Sequence, residues 1–185
     1  LQLVNKFDNV KEVEIDLTSS YETLHGNLLQ SFPDSQLANA NTKSRLRMVS
    51  LYYAATCHNG LVVGTGNKVE DYGVGFFTKY GDGGVDISPI ADLTKTQVRE
   101  LAVQLEVDPK IIAAPPTDGL WDDNRTDEDQ IGVSYEELEW AMDYLEKGKT
   151  EKLNTREKEI LEIYLNFHHK NKHKMMPIPT FRIIK

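Results

Sequence analysis

The residues best suited to chemistry lie in one glycine-rich stretch, residues 61–86. It begins with Leu61–Thr65, a short apolar run without polar alternation, which predicts a central strand of a parallel sheet. In open α/β sheets ligands bind beyond the carboxyl ends of such strands, and Gly66 allows the backbone to turn closely against a ligand. Glu70 then supplies a carboxylate suited to Mg²⁺ beside phosphate oxygens, and Lys79 a point charge suited to an anionic substrate. The stretch also fits a plain glycine-rich turn with surface charges, and it matches neither the GxGxxG nor the Walker A motif.

Helix-start signals surround this stretch and predict the elements that position it. Asn41 is expected to cap a helix that ends at Asn59-Gly60, just before the predicted strand. Three later helices are expected to open with capping boxes, in which two side chains three residues apart bond each other's backbone N–H groups. The boxes pair Thr94 with Gln97, Ser134 with Glu137, and Asn154 with Glu157.

The strand count predicts an α/β protein with part of its sheet missing. Besides residues 61–65, Lys11–Leu17 alternates apolar and polar residues as a strand does. A central parallel strand needs a neighbour on each side, and two strands do not form a stable sheet. We therefore expect a single domain over residues 1–185, a parallel sheet flanked by helices, whose N-terminal strands precede Leu1.

Composition and charge argue against several classes of protein. The 185 residues are 39% hydrophobic and 27% charged, which is typical of a folded domain. The net charge of −8 argues against broad nucleic-acid binding, and no apolar run approaches the ~20 residues that cross a bilayer. Cys57 is the only cysteine, so we expect no internal disulfide, a buried thiol and a cytoplasmic protein. Residues 166–185 carry four Lys, one Arg and no acid, so this basic tail could bind phosphate.

Residues 75–86 read GFFTKYGDGGVD, and this wording resembles a signature of the ammonia-dependent NAD synthetases. Further matching motifs follow in the same order across nearly the whole chain; they lie at residues 41–45, 93–95, 116–118, 127–128, 132–135 and 173–174. The resemblance implies an adenine nucleotide alpha hydrolase-like, Rossmann-like fold. It also implies an ATP pyrophosphatase that works as a homodimer.

The reaction implied by the resemblance is the amidation of deamido-NAD. ATP and Mg²⁺ adenylate the nicotinate carboxylate, and ammonia then attacks to give NAD, AMP and pyrophosphate. No covalent side-chain nucleophile is needed, so positioning and charge supply most of the catalysis. Matching positions assign ATP contacts to Thr65, Lys95 and Thr117, a Mg²⁺ ligand to Glu70, and deamido-NAD contacts to Arg45, Lys79, Asp86, His173 and Lys174.

Ordinary roles remain open for several of these residues. Arg45 also fits a solvated helix charge, Thr117 a turn beside two prolines, and Asp86 a loop carboxylate. Lys95 is different, because a cation in the first turn of a capped helix opposes the helix dipole. A purely structural role is therefore less natural for Lys95 than for the other three.

The sequence departs from the family pattern at one motif. Enzymes of this kind hold ATP pyrophosphate on an S-G-G-x-D-S loop, whose Asp is a second Mg²⁺ ligand, and the 185 residues lack that motif. We therefore expect this chain alone to be inactive. Three other functions stay open: a non-catalytic deamido-NAD-binding fragment, the synthetase domain of a glutamine-dependent NAD synthetase, and another amide-forming ATP pyrophosphatase such as a GMP or asparagine synthetase.

Overall fold

Helices form most of the regular structure in the described part of the chain. The computed structural model describes residues 2–121, 123, 125–148 and 152–183. Along these ranges lie α1 (Gln2–Lys6), α2 (Thr18–Leu28), α3 (Gln36–Cys57), a π-helix (Val69–Val74), α4 (Lys95–Gln104), α5 (Pro109–Ile112), α6 (Asp127–Ile131), α7 (Tyr135–Glu146) and α8 (Thr155–Met175). None of the helices in these ranges is both long and apolar enough to span a membrane.

The predicted sheet is represented by one contact. Within the described ranges no strand forms, and Val63 and Ile87 make an isolated parallel bridge. The prediction of a strand over Lys11–Leu17 is wrong, since this segment is irregular and its Val13 and Ile15 side chains are 75% and 54% exposed. Alternation gives a segment two different faces, but a strand also needs the backbone of a neighbour to bond with.

The segment of residues 61–65 keeps part of the predicted strand character. Val62 and Gly64 are buried, whereas Leu61 and Val63 are 64% and 53% exposed. A central strand of a parallel sheet is buried on both faces, so the prediction of a central strand is wrong for these residues. One edge of the segment bonds to the chain near Ile87, and the described residues do not supply a sheet around it.

The three predicted capping boxes are confirmed. In each box the cap side chain accepts a hydrogen bond from the backbone N–H three residues on, and the Glu or Gln there accepts one from the N–H of the cap. The boxes of Thr94, Ser134 and Asn154 open α4, α7 and α8 respectively. Local side-chain chemistry is thus sufficient to fix where these helices begin.

The start of α3 differs from the prediction. Ser35 caps this helix, its Oγ accepting from the Ala38 N–H at 3.4 Å, and Asn41 lies inside the helix. The Asn41 side chain instead accepts a hydrogen bond from Thr78 Oγ1 at 2.7 Å. An Asn that fits a cap by residue type is therefore used for a tertiary contact. Cys57, expected to be buried, is exposed at the end of the same helix.

The core forms where the π-helix packs against α7 and α8. Val69 and Val74 of the π-helix and Leu138 of α7 are completely buried. Gly73 leaves room for Tyr164 of α8, whose hydroxyl would lie 3.3 Å from a Cβ added to the glycine. Burying an aliphatic side chain of this size stabilises a fold by about 1.5–3 kcal/mol. This three-element contact therefore fixes the position of the π-helix.

Leu138→Ala is expected to lower the free energy of unfolding by about 2–5 kcal/mol, because it opens a cavity in this core. Leu145→Ala is the matched control on the same helix, where Leu145 is 41% exposed, and it should cost less than about 1 kcal/mol. Urea unfolding followed by tryptophan fluorescence measures both changes, since Trp140 packs against the core. Equal losses for the two variants would contradict this assignment of the core.

Candidate active site

Asn67 and Glu70 set the start of the π-helix. Asn67 is 2% exposed, and its Oδ1 accepts hydrogen bonds from the N–H groups of Val69 at 3.0 Å and Glu70 at 3.2 Å. In return, Glu70 Oε2 accepts from the Asn67 N–H at 3.2 Å. This reciprocal pair has the logic of a capping box. It holds the Glu70 carboxylate at the start of a buried element.

Lys95 and Glu70 form an ion pair between α4 and the π-helix. Lys95 Nζ lies 3.0 Å from Glu70 Oε1, and the two side chains are 23% and 15% exposed. The neighbouring Thr96 N–H donates to Glu139 Oε1 at 2.9 Å, which ties the start of α4 to α7. A half-buried pair of this kind can exchange partners with a ligand, since a phosphate suits the lysine and a divalent cation suits the carboxylate.

A buried tyrosine contacts both members of this ion pair. Tyr135 is 1% exposed; its hydroxyl donates to Glu70 Oε1 at 2.6 Å, and Lys95 Nζ lies 4.7 Å from the centre of its ring. Asp127 Oδ2 is 3.2 Å from the same hydroxyl, and Asp127 Oδ1 is buried without a hydrogen-bond partner in the described structure. Burial raises the pKa of Asp127 and the pKa of Tyr135. The surroundings thus favour the neutral forms of both groups.

Asp71 is a further acidic neighbour. Its carboxylate lies against the backbone of Gly66, and a Cβ added to Gly66 would overlap it. Burial, followed by the negative charges of Glu70 and Asp82, raises the pKa of Asp71 to about 6. Glycine at position 66 therefore makes room for a carboxyl group that titrates close to neutrality.

The two threonines among the predicted ATP contacts, Thr65 and Thr117, are exposed. Thr65 stands at the end of the bridged segment. Thr117 belongs to a loop that Asp127 anchors, because the Asp127 N–H donates to the Pro116 carbonyl at 3.0 Å. The structure thus brings Lys95 and the predicted Mg²⁺ ligand together and links the Thr117 loop to the same cluster through Asp127.

The loop of residues 78–84 is built around Asp82 and Ser44. Asp82 Oδ1 accepts from Ser44 Oγ at 2.8 Å and from the Thr78 N–H at 3.0 Å, while the Asp82 N–H donates to Ser44 Oγ at 3.0 Å. Gly81 packs directly on this network, since a Cβ there would overlap Ser44 Oγ and lie 2.9 Å from Thr78 Cβ. These contacts hold the loop of residues 78–84 against α3.

Asp86, a predicted deamido-NAD contact, has both carboxylate oxygens engaged within the protein. Oδ2 accepts from the Val62 N–H at 2.8 Å, and Oδ1 accepts from the Tyr52 hydroxyl at 3.0 Å. The Asp86 N–H also donates to the Val62 carbonyl at 2.9 Å. Asp86, at the end of the glycine-rich stretch, therefore connects the bridged segment with α3. Each oxygen keeps lone-pair capacity for a ligand.

The other predicted deamido-NAD contacts meet near the end of α8. Arg45 Nε donates to the Lys79 carbonyl at 3.2 Å, and Lys79 Nζ donates to the His173 carbonyl at 3.0 Å. Lys174 Nζ donates to two backbone carbonyls of the glycine-rich stretch, those of residues 75 and 77, at 2.6 Å each. Burial lowers the pKa of Lys174. Carbonyl partners do not neutralise a cation. The arrangement therefore keeps positive charge beside the loop for an anionic ligand.

The described residues of this region provide one carboxylate suited to bind Mg²⁺, that of Glu70. Among the described residues, no group of three or more His, Cys, Asp and Glu side chains is placed to hold a metal ion. Mg²⁺ commonly binds through one or two carboxylates together with substrate phosphates and water. Glu70 suits that role, because its Oε2 accepts one hydrogen bond and retains a lone pair.

The matching motifs have a counterpart among known families. A family model described as NAD synthase matches residues 1–177. The chain belongs to the NAD synthase family. The resemblance read from the glycine-rich motif is thereby confirmed.

Several relatives of this chain are named NH(3)-dependent NAD(+) synthetase. The NH(3)-dependent NAD(+) synthetase of Picrophilus torridus is 48% identical over 132 residues, which is 71% of this chain and 52% of that protein. The protein of the same name from Archaeoglobus fulgidus is 52% identical over 115 residues, 62% and 46% of the two chains. This chain thus spans about half the length of these curated relatives. The solved structure of an NMN synthetase from Francisella tularensis superposes with a TM-score of 0.81 at 35% identity, covering 95% of this chain and 68% of that one.

Asn67, Asp127 and Tyr135 are site residues to which the sequence analysis gave no role. The role of Asn67 could have been predicted from the sequence, because Asn67 and Glu70 have the spacing of a capping pair. Tyr135 stands 65 residues from Glu70, and only tertiary packing brings the two together. The same packing brings the Asp127 carboxylate to the Tyr135 hydroxyl.

Gly81→Ala is expected to lower the free energy of unfolding by about 1–3 kcal/mol, because the new Cβ overlaps the Ser44–Asp82 network. Gly26→Ala is the control. Gly26 lies in α2 with nothing within 4 Å of an added Cβ, so alanine should be neutral or stabilising by up to about 1 kcal/mol. Thermal unfolding by circular dichroism compares them, and similar changes in Tm would contradict the close packing at Gly81.

Asp71→Asn is expected to stabilise the fold above neutral pH by about 1–2 kcal/mol. The folded-state pKa of about 6 lies above the ordinary value of 3.8, so the ionisation of Asp71 costs stability as the pH rises between the two values. The gain from asparagine should therefore be full near pH ~8 and absent near pH ~4. Urea unfolding at both pH values measures it, and a gain of equal size at both would contradict the raised pKa.

Proposed function

We propose that the natural protein containing these residues is an ammonia-dependent NAD synthetase, a carbon–nitrogen ligase. ATP adenylates the nicotinate carboxylate of deamido-NAD, and ammonia then displaces AMP to give NAD, with pyrophosphate as the other product. The observation that carries the proposal is the Lys95–Glu70 ion pair, in which the residues assigned to ATP and to Mg²⁺ lie 3.0 Å apart. Membership of the NAD synthase family supports it.

Lys95 supplies positive charge where adenylation gathers negative charge. The pentavalent phosphorus and the departing pyrophosphate are both more anionic than the ground state, and a preorganised cation lowers the free energy of that transition state. Lys95 is held over the Tyr135 ring with Glu70 as its partner, so it is in position before ATP arrives. The exposed hydroxyls of Thr65 and Thr117 serve as further ATP contacts.

The basic cluster binds deamido-NAD. Arg45, Lys79 and Lys174 bond to backbone carbonyls, so their charge is available to the pyrophosphate of the dinucleotide. His173 is exposed beside them and adds a ring nitrogen. Asp86, fixed by three hydrogen bonds, offers acceptor oxygens to the same substrate.

Glu70 is the protein ligand that this chain provides for Mg²⁺. When bound, Mg²⁺ offsets the charge of the phosphate oxygens and polarises them. Asn67 and Tyr135 hold the Glu70 carboxylate in one orientation, so that it need not be ordered by the ligand. Lys95 is then free to contact the phosphates.

We assign the 185 residues to the C-terminal portion of one Rossmann-like synthetase domain. The chain covers 52% of its relative from Picrophilus torridus, and the parallel Val63–Ile87 bridge is the kind of contact that such a sheet makes. The rest of the domain would add further strands and the S-G-G-x-D-S loop, and the chain without them would be inactive. A homodimer and a cytoplasmic location belong to the same proposal.

Two other activities and one binding role compete with this function. The relatives named NH(3)-dependent favour ammonia over glutamine as the nitrogen donor. The NMN synthetase of Francisella tularensis is 35% identical, so nicotinate mononucleotide is the competing substrate. Binding of deamido-NAD without consumption of ATP is the non-catalytic alternative.

The test is an assay of the natural full-length protein with ATP, deamido-NAD and ammonium. We expect equal amounts of NAD, AMP and pyrophosphate. Turnover with glutamine instead of ammonium, or with nicotinate mononucleotide instead of deamido-NAD, should be slower. Faster turnover with either replacement identifies the corresponding alternative, and binding of deamido-NAD with no AMP formed identifies the non-catalytic one.

Glu70→Ala is expected to shift the Mg²⁺ activation curve to concentrations about 10-fold higher or more, because the carboxylate ligand is lost. Glu162→Ala, at an exposed position of α8, is the control and should leave the curve unchanged. Initial rates of NAD formation over a Mg²⁺ titration measure the shift. An identical titration for the wild-type and Glu70→Ala proteins would remove Glu70 from the metal site.

A further inference from the structure

Tyr135 occupies a position from which it affects both charged groups of the proposed site. Its ring lies under the Lys95 ammonium, 4.7 Å from Nζ to the ring centre, and its hydroxyl reaches Glu70 Oε1 at 2.6 Å. It is 1% exposed, so packing holds the side chain firmly. The backbone is also fixed at this point, since the Tyr135 N–H donates to Glu128 Oε1 at 2.9 Å.

The hydrogen bonds of Glu70 are divided unequally between its two oxygens. Oε1 accepts from both the Tyr135 hydroxyl and Lys95 Nζ, which uses its lone pairs. Oε2 accepts from the Asn67 N–H at 3.2 Å and keeps a lone pair. The carboxylate is therefore held at one oxygen and available at the other.

We propose that Tyr135 is a positioning residue for the cation site: it holds Glu70 by Oε1 and so presents Oε2 to Mg²⁺. The inference rests on the proposed function, because it takes Glu70 as the Mg²⁺ ligand. Lys95 alone does not hold the carboxylate in this way, since its ammonium is needed by the phosphates once ATP binds. The tyrosine hydroxyl also lies 3.2 Å from Asp127 Oδ2, and its shorter contact of 2.6 Å selects Glu70 as the acceptor of its proton.

Removal of the hydroxyl has two opposing effects on the metal affinity. The carboxylate loses one donor and becomes slightly more basic, which favours a cation. It also loses the bond that fixes its orientation, and loss of such an outer-shell partner typically weakens metal binding about 10- to 100-fold. The second effect is larger, so the net result is weaker binding.

The experiment compares Tyr135→Phe with Tyr164→Phe in the natural full-length protein. Tyr164 is 5% exposed and belongs to the same core, but its hydroxyl faces Gly73 rather than Glu70. Mn²⁺ replaces Mg²⁺ as the probe, and its electron paramagnetic resonance signal gives the Kd in the presence of a non-hydrolysable ATP analogue. The Kd of the analogue without metal and the KM for deamido-NAD are measured alongside.

Tyr135→Phe is expected to raise the Mn²⁺ Kd about 10-fold or more. The analogue alone and deamido-NAD should bind as in the wild type, because the ring under Lys95 and the basic cluster are retained. Tyr164→Phe should leave all three values unchanged. This pattern separates positioning of the metal ligand from general loosening of the site.

Four results would overturn the inference. An unchanged Mn²⁺ Kd in Tyr135→Phe removes the positioning role while leaving the proposed function intact. Equal weakening of Mn²⁺, the analogue and deamido-NAD, or equal effects of the two Phe variants, assigns Tyr135 a purely structural role. A wild-type protein that binds no Mn²⁺ with the analogue and forms no NAD overturns the proposed function together with this inference.

Discussion

The π-helix Val69–Val74 has too few residues to be stable in water without tertiary contacts. Its stability comes from Val69 and Val74, which are completely buried against α7 and α8. Glu70 lies between these two valines in sequence, and its carboxylate reaches Lys95 and Tyr135. The packing that stabilises the core thus also sets the position of the central carboxylate of the site. Changes in the core and in the site are consequently coupled.

Two different electrostatic environments lie along the glycine-rich stretch. Near Glu70 the acids Asp71 and Asp127 add further negative charge, and burial raises the pKa of these two aspartates. At its other end, Lys79 and Lys174 donate to backbone carbonyls, which carry no full negative charge. The first environment suits a cation with its phosphates, and the second suits an anionic substrate. The proposed reaction, in which ATP adenylates a dinucleotide carboxylate, uses both environments.

Features that depend on neighbours in sequence were predicted well. The capping boxes at Thr94, Ser134 and Asn154 were found because both partners lie within one helical turn. The strand over Lys11–Leu17 was wrong because strand formation depends on a partner that the local pattern does not describe. Asn41 was misassigned for a similar reason, since its hydrogen bond to Thr78 spans 37 residues.

In the candidate site too, the residues could be predicted from local sequence, whereas their tertiary partners could not. The glycine-rich stretch indicated Glu70, Lys79 and Asp86 by residue type and order. The partners that fix these residues are distant in sequence: Tyr135 for Glu70, and Val62 for Asp86. Such contacts follow from the packing of helices and loops and cannot be read from spacing.

The bridged segment of residues 61–65 has two unlike edges. On one edge, the Gly64 N–H donates to the Ile87 carbonyl, and the Val62 carbonyl accepts from the N–H groups of residues 86 and 87. The backbone groups of Leu61 and Val63 face the opposite edge, and the side chains of these two residues are largely exposed. An unpaired backbone edge beside exposed apolar side chains is a template for strand addition from another chain. A further strand paired along this edge would bond with the outward-facing backbone groups of Leu61 and Val63.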